Sequence, residues 1–433
     1  MQIPPEAAQI LAALHAAGHQ AYLVGGCVRD MLLHRVPKDW DVATDARPEQ
    51  LTRLFTGAEQ IGAHFGVILW HGVEIATFRS DGPYSDGRHP ESVQFESDPA
   101  KDAGRRDFTI NGLFFDVRSE RILDFTGGQR DLAAGLIRAI GDPEERFAED
   151  HLRLLRAVRF AARFGFELET RTAAAIRAHS GAICGVAAER VREELTKILT
   201  EPHPRRGLEL LDTLELLPHI LPEIQALQGV EQPPEFHPEG DVWTHTLIML
   251  DALQEPSITL ALGVLLHDIA KPATLTRTDR IRFPGHAELG ARMTGEILRR
   301  FRYPAAVVER VQSLVGQHMR FLDVRNMRES TRKRFLRQSH FPELLELHRI
   351  DCASSHGRME AYDFCRREIA ALPPEALHPR RLLTGDDLLA LGIPAGPRMG
   401  RLLRALEDAQ LEGTIRTADE ARALVAAEGE RES

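Results

Sequence analysis

Hydrophobic positions recur with two different periods along this chain, and the change falls near residue 140. Before it, short apolar runs alternate with glycine-containing breaks. The run QAYLV (20–24) reads as a strand ending in Gly25-Gly26, and 28–34 as a helix. Residues 39–43 read as a second strand, and 48–55 as a helix opened by proline. Residues 66–70 and 73–78 alternate about His71-Gly72, a hairpin signal. These elements predict a small mixed sheet with helices, α+β in class. After Gly141 the period is helical: 149–164, 171–179 and 189–200 carry apolar residues at helix spacing. The proline-rich stretch 232–238 reads as a linker. Residues 240–360 form a helical block dense in histidine, and 361–433 add helices broken at 372–374 and 392–397. The expected parts are therefore 1–140, 141–230, 231–360 and 361–433.

Composition narrows the class without naming a function. With 433 residues, 43% hydrophobic and 27% charged, the chain is globular and not disordered. No apolar run approaches the ~20 residues of a membrane span. The segment MQIPPEAAQILAALHAAG has no basic residue ahead of its apolar stretch and reads as an amphipathic helix, not a signal peptide. The scattered Cys27, Cys184, Cys352 and Cys365 fit neither a CxxC zinc site nor a disulfide framework, so a reducing cytoplasm is expected. A net charge of −10 gives no bulk attraction to nucleic acid and leaves recognition to the local field of a cleft.

The candidate chemistry starts at Asp39-Trp40-Asp41. On a strand, residues i and i+2 share a face, so the pair offers hard oxygen ligands to Mg²⁺. Upstream, Gly25-Gly26-x-x-Arg29-Asp30 stands at a strand-to-helix turn, where glycine admits a phosphate and Arg29 can neutralise it. Arg106, Asp107 and Asn111 of RRDFTIN are further candidates, Arg106 and Asn111 for phosphate or sugar and Asp107 to orient them. In Glu149-Asp150-His151-Leu152-Arg153, Asp150 can accept from an exocyclic amine while Arg153 donates to ring acceptors. That pair admits C and A and rejects U and G. Arg156, Arg159 and Arg163 continue a stripe on the same expected helix, with Arg156 and Arg159 read as supports for phosphate or base.

These motifs resemble the class II tRNA nucleotidyltransferase (CCA-adding) and bacterial poly(A) polymerase family: LVGGCVRD, DWDVAT, YSDGRHP, RRDFTIN and EDHLRLLRAVRFAARFGF stand in order over residues ~20–200. The resemblance implies a palm-like head, then an all-helical neck, an HD body and a tail that cradles tRNA. It makes Asp39 and Asp41 the Mg²⁺ carboxylates and Asp150 and Arg153 the base readers. Residues 79–95 resemble the loop that switches full CCA-adding members from C to A, which speaks against CC-only addition. Asn111-Gly112 departs from the family's Asn-Ala and is expected to loosen a helix. His245, His267-Asp268, His286, His318 and Asp351 resemble the ligands of an HD phosphohydrolase, suited to Mn²⁺, Fe²⁺ or Ni²⁺, with Lys271 available for phosphate. The expected partners are the tRNA 3′ acceptor arm, ATP and CTP. An A-adding enzyme or poly(A) polymerase is the near alternative. An HD phosphohydrolase with a nucleotide-sensing head is the more distant one, and a tRNA-binding chaperone without turnover the third.

Overall fold

The structure, a computed structural model, describes residues 3–62, 66–84, 87 and 90–431. Contacts group the chain into two compact units, 1–225 with 300–303, and 226–299 with 304–433.

The first unit opens with helix α1 (Pro5–Ala16), which buries Ile10, Leu11 and Leu14. Seven strands form one mixed sheet: β1 (Ala21–Val24), β2 (Asp41–Thr44), β3 (Glu59–Gly62), β4 (Val67–Trp70), β5 (Val73–Thr77), β6 (Leu113–Asp116) and β7 (Arg121–Asp124), in the order β3-β4-β5-β2-β1-β6-β7. Only β2 and β5 run parallel; the other neighbours are antiparallel. The expected hairpin is present. His71 and Gly72 both take positive φ (48° and 79°), the twist that two-residue hairpin turns require. Strand β2 is shifted from expectation, starting at Asp41, so Asp39 lies in the bend ahead of it. Helix α2 spans Gly26–Leu32 and starts two residues earlier than the apolar pattern suggested, because Gly25 supplies the turn.

The expected helix 149–164 starts later: α5 spans Arg153–Phe164, and the preceding α4 (Pro143–Glu149) ends where the expected helix began, with α3 (Pro48–Leu54) earlier in the chain. Asp150 between α4 and α5 is extended (φ −142°, ψ 103°). Helix α6 (Ala188–Thr200) packs on α5.

The second unit is helical. Its main elements are α7 (Val242–Asp251), α8 (Ile258–Leu266), α9 (His286–Arg300), α10 (Ala305–Gln317) and α11 (Phe341–Ser354). Helix α8 is almost wholly apolar and sits centrally, against α7, α10 and α11. The tail has its own small core, with Leu388, Leu402, Leu406 and Ala421 buried together. The stretch 232–238 is no linker. Gln232 is buried with its Oε1 accepting from Lys271 Nζ at 2.5 Å, and Pro233, Pro234 and His237 wall a cavity. All four cysteines are free thiols.

Candidate active site and metal centre

Strand β1 delivers the chain to Gly25, whose φ of 70° and ψ of −127° suit glycine alone. Its N–H donates to the Leu113 carbonyl at 3.0 Å, tying the turn to β6. A Cβ at this position would stand 2.9 Å from Arg106 Nη1, so the guanidinium lies directly over the turn. Arg106 is itself fixed by Asp102 (Nη2 to Oδ2, 3.0 Å). Glycine turn and cation thus make a concave, positively charged corner that could take a phosphate, with Arg106 and not Arg29 over the turn.

The acid pair lies beside it. Asp39 is exposed and Asp41 half-buried. Parallel pairing puts Asp41 opposite Glu74 of β5, so a further carboxylate shares the face of Asp41, while Asp39 approaches from the bend and not, as expected, from the strand. Burial first, then Glu74, push the Asp41 carboxyl up to about 6; Arg106 opposes this and Asp39 adds to it. Carboxylates that repel one another in this way suit a divalent cation. Sequence reading missed Glu74. Its only signal is an acidic residue in an otherwise apolar strand, VEIAT.

Other expected phosphate ligands have a different task. Arg29 is buried, donating from Nε to Asp30 (2.8 Å) and from Nη1 to Asn111 Oδ1 (2.6 Å), and it lies over the Phe164 ring. It is a strut, not a free cation. Asn111 Nδ2 in turn donates to Asp107 Oδ1 (3.0 Å), and Arg156 grips Asp107 Oδ2 from Nε and Nη2 (2.8 and 2.6 Å). Burial would raise the Asp107 carboxyl, but Arg156, Asn111 and the Phe108 N–H hold it down at about 2. Arg159 pairs with buried Glu194 of α6 (2.6 Å) and Arg163 with Glu201 just past its end (3.5 Å), so each of these arginines already faces a carboxylate. Gly112 follows a 3-10 turn, and a Cβ there would stand 2.7 Å from Thr126 Oγ1. Space, not helix flexibility, accounts for the glycine.

The couple expected to read the base is placed differently. Asp150 Oδ1 accepts from Leu152 N–H (3.1 Å), and both its oxygens face Arg190. Arg153 spends Nη1 on the Arg146 carbonyl and Glu149, and one Nη2 hydrogen on the Arg105 carbonyl. Three of its five N–H groups are so used, which leaves the Nε edge to donate. Residues 85, 86, 88 and 89 of the expected switching loop lie outside the described residues. Gly87 lies against His151, with room for no side chain: a Cβ would come within 2.8 Å of Nε2.

In the second unit the six expected HD residues come together. His245, His267 and Asp351 place ligand atoms within 4.8 Å of one another, as do Asp268, His286 and His318. The two oxygens of Asp268 divide between the sets: Oδ2 lies 3.1 Å from His267 Nε2, and Oδ1 3.5 Å from His286 Nε2. The Nδ1 atoms of His267, His286 and His318 each donate to a carbonyl three residues back (Val264, Phe283 and Val315; 2.9, 2.9 and 2.6 Å). Their Nε2 lone pairs therefore turn inward. His286 Nε2 and His318 Nε2 face each other at 3.2 Å, and buried His245 Nε2 and His267 Nε2 each face a carboxylate oxygen, Asp351 Oδ1 at 3.2 Å and Asp268 Oδ2 at 3.1 Å. Two lone pairs at that separation need a cation between or beside them, so the donors fit a metal. Burial, then His267, push His318 down to about 4, which keeps it a neutral ligand. Burial would lower His245 too, but Asp351 and Glu239 raise it to about 9. Sequence reading missed Glu239, whose Oε1 stands 2.6 Å from His245 Nδ1, and His237 beside it. A cavity of about 740 Å³ opens on this centre, lined by Lys271, Arg280, Arg282, Phe236 and Phe283 among others.

What the first unit is equipped to do is move a nucleotidyl group; in class the molecule is a nucleotidyltransferase carrying an HD domain. Comparison with known proteins agrees. Residues 21–138 match the family described as Poly A polymerase head domain, 165–227 the probable RNA and SrmB-binding site of polymerase A, and 241–345 the HD domain. The chain is 34% identical to a CC-adding tRNA nucleotidyltransferase of Thermus thermophilus, over 94% of this chain and 93% of that one. It is 31% identical to the CCA-adding enzyme of Bacillus subtilis (95% and 94%) and 34% to an A-adding tRNA nucleotidyltransferase of Deinococcus radiodurans (94% and 94%). A solved CCA-adding enzyme of Bacillus stearothermophilus in complex with CTP superimposes with a TM-score of 0.76 at 25% identity, covering 99% of both chains. The chain belongs to the tRNA nucleotidyltransferase family.

Proposed function

We propose that this enzyme adds C, C and A to the 3′ end of tRNA, without a nucleic-acid template. The 3′-hydroxyl attacks the α-phosphate of CTP or ATP, and pyrophosphate leaves. Asp39 and Asp41, with Glu74 beside them, would hold Mg²⁺, which when bound activates the hydroxyl and steadies the leaving group. Arg106 over the Gly25-Gly26 turn grips the triphosphate. The Asp107–Asn111–Arg29 chain supports that frame instead of touching the nucleotide. Asp150 accepts the exocyclic amine of C or A, and the Nε edge of Arg153 donates to the ring. The acceptor arm is recognised by shape and backbone. The observation that carries the reading is the pairing of Asp41 with Glu74 next to a glycine turn covered by Arg106.

Relatives named CC-adding and A-adding match the chain as fully as the one named CCA-adding, and this favours part-reaction as a second reading. The deciding experiment supplies CTP, ATP or both to tRNA ending before CCA and to tRNA ending in CC, and sequences the products. Full CCA on the first substrate is expected. A stop at CC, or A incorporation without C, overturns it.

The HD centre supports a second activity, hydrolysis of phosphoesters, with a divalent transition metal such as Mn²⁺, Fe²⁺ or Ni²⁺ held by His245, His267, Asp268, His286, His318 and Asp351. Lys271 is less available for phosphate than the sequence suggests, since Asp268 Oδ2 (2.6 Å) and Gln232 already engage it. The functional division we infer is head 1–140, neck 141–230, HD body 231–360 and tRNA-binding tail 361–433. The place of action is the cytoplasm; among the described residues no helix is long and apolar enough to cross a membrane.

A further inference from the structure

We propose that Arg190 is a positioning residue for base selection, holding the Asp150 carboxylate so that a single oxygen lone pair is left for the incoming base. The proposal rests on the reading of Asp150 as base reader.

Asp150 needs such a partner. It sits in the break between α4 and α5, outside either helical ladder, and its extended backbone leaves the side chain free to rotate. Two groups restrain it. Leu152 N–H donates to Oδ1 at 3.1 Å, and Arg190 makes a two-point contact, Nη1 to Oδ1 at 3.1 Å and Nη2 to Oδ2 at 2.9 Å. A carboxylate offers about four acceptor directions. Among the described residues Oδ1 has two donors and Oδ2 has one, so the remaining direction is on Oδ2. One exocyclic amine fills it. The keto oxygen of U or G would meet an acceptor instead. A carboxylate free to turn could swing aside and let water donate to that keto oxygen, and selection would fall.

Exposure separates this role from plain stabilisation. The Arg190 and Asp150 side chains retain 23% and 18% of their exposure, whereas the neighbouring Arg159 and Glu194 retain 7% and 4%. A pair that keeps some contact with water contributes less to folding than a dry one, and a bidentate guanidinium fixes direction. The buried Arg159–Glu194 pair ties α6 to α5, so the Arg190 backbone is held relative to the site.

The test is single-turnover extension of tRNA ending before CCA with CTP or UTP, using wild type, Asp150→Ala, Arg190→Met and Arg190→Lys, with thermal melts of each. Asp150→Ala should relax selectivity. Arg190→Met should lower the CTP/UTP ratio of kcat/KM by about tenfold, and Arg190→Lys, with its charge but no fork, should fall between. Equal slowing with both nucleotides, or no change, while Asp150→Ala relaxes selection, overturns the proposal and leaves the base-reader assignment intact. If Asp150→Ala also leaves the ratio unchanged, Asp150 is no base reader and the proposal falls with it. Should Arg190→Met fail to fold, Arg190→Lys alone decides: an unchanged ratio overturns the proposal.

Discussion

Asp41 occupies a place that favours its neutral form. Because its carboxyl is raised to about 6 from the ordinary 3.8, the ionised group weighs against folding at every pH above about 6, less from there down to 3.8, and not below. Asp41→Asn should therefore abolish nucleotide addition yet stabilise the metal-free protein by up to about 3 kcal/mol at pH 8. Urea unfolding in chelator at pH 8 and pH 3.5 checks this; the gain should vanish at the lower pH, and a gain equal at both would refute the cause. Gly25→Ala combines a positive φ with a Cβ 2.9 Å from Arg106 Nη1. The strain is about 1–2 kcal/mol, and the displaced guanidinium should raise the KM for CTP and ATP more than it lowers stability. Steady-state kinetics beside a thermal melt would separate the two effects.

At the scale of elements, α5 and α6 form an ion-pair zipper in which Glu194 serves Arg159 from a nearly dry interface. Glu194→Ala leaves a buried arginine without its partner and should cost about 3 kcal/mol. The double change Glu194→Leu with Arg159→Met should recover most of that, and a double-mutant cycle in urea reads the difference. This interface also marks how far sequence reading reaches. The β4–β5 hairpin was legible because His71-Gly72 carries its own turn chemistry. The arginine stripe was legible as a stripe, but its role was not, since its partners lie 35 to 49 positions away in the chain. Glu74 was hidden for the same reason: its approach to Asp41 depends on strand register. The break at Asp150 was hidden because no glycine or proline marks it in EDHLR.

In the whole molecule, the two candidate centres lie in different compact units. His267→Ala should leave nucleotide addition within about twofold of wild type while removing transition-metal binding and any phosphoester hydrolysis. Elemental content after dialysis and parallel assays of both reactions provide the readout. The six residues His245, His267, Asp268, His286, His318 and Asp351 could be picked out because imidazole and carboxylate stand in the order that the HD resemblance implies, and the fold does bring them together. Glu239 was not, because it sits among prolines that read as a connector. Asp107 deserves the last consideration, since it is joined on one side to Asn111 and Arg29 and on the other to Arg156 of the helix that begins at Arg153. On the proposed reading, the parts that hold the triphosphate and those that hold the base share one buried anion. Nucleotide choice would then not be a local property: a directed-evolution screen for altered choice should find winners at Asn111 and Arg29 as well as at Asp150 and Arg153.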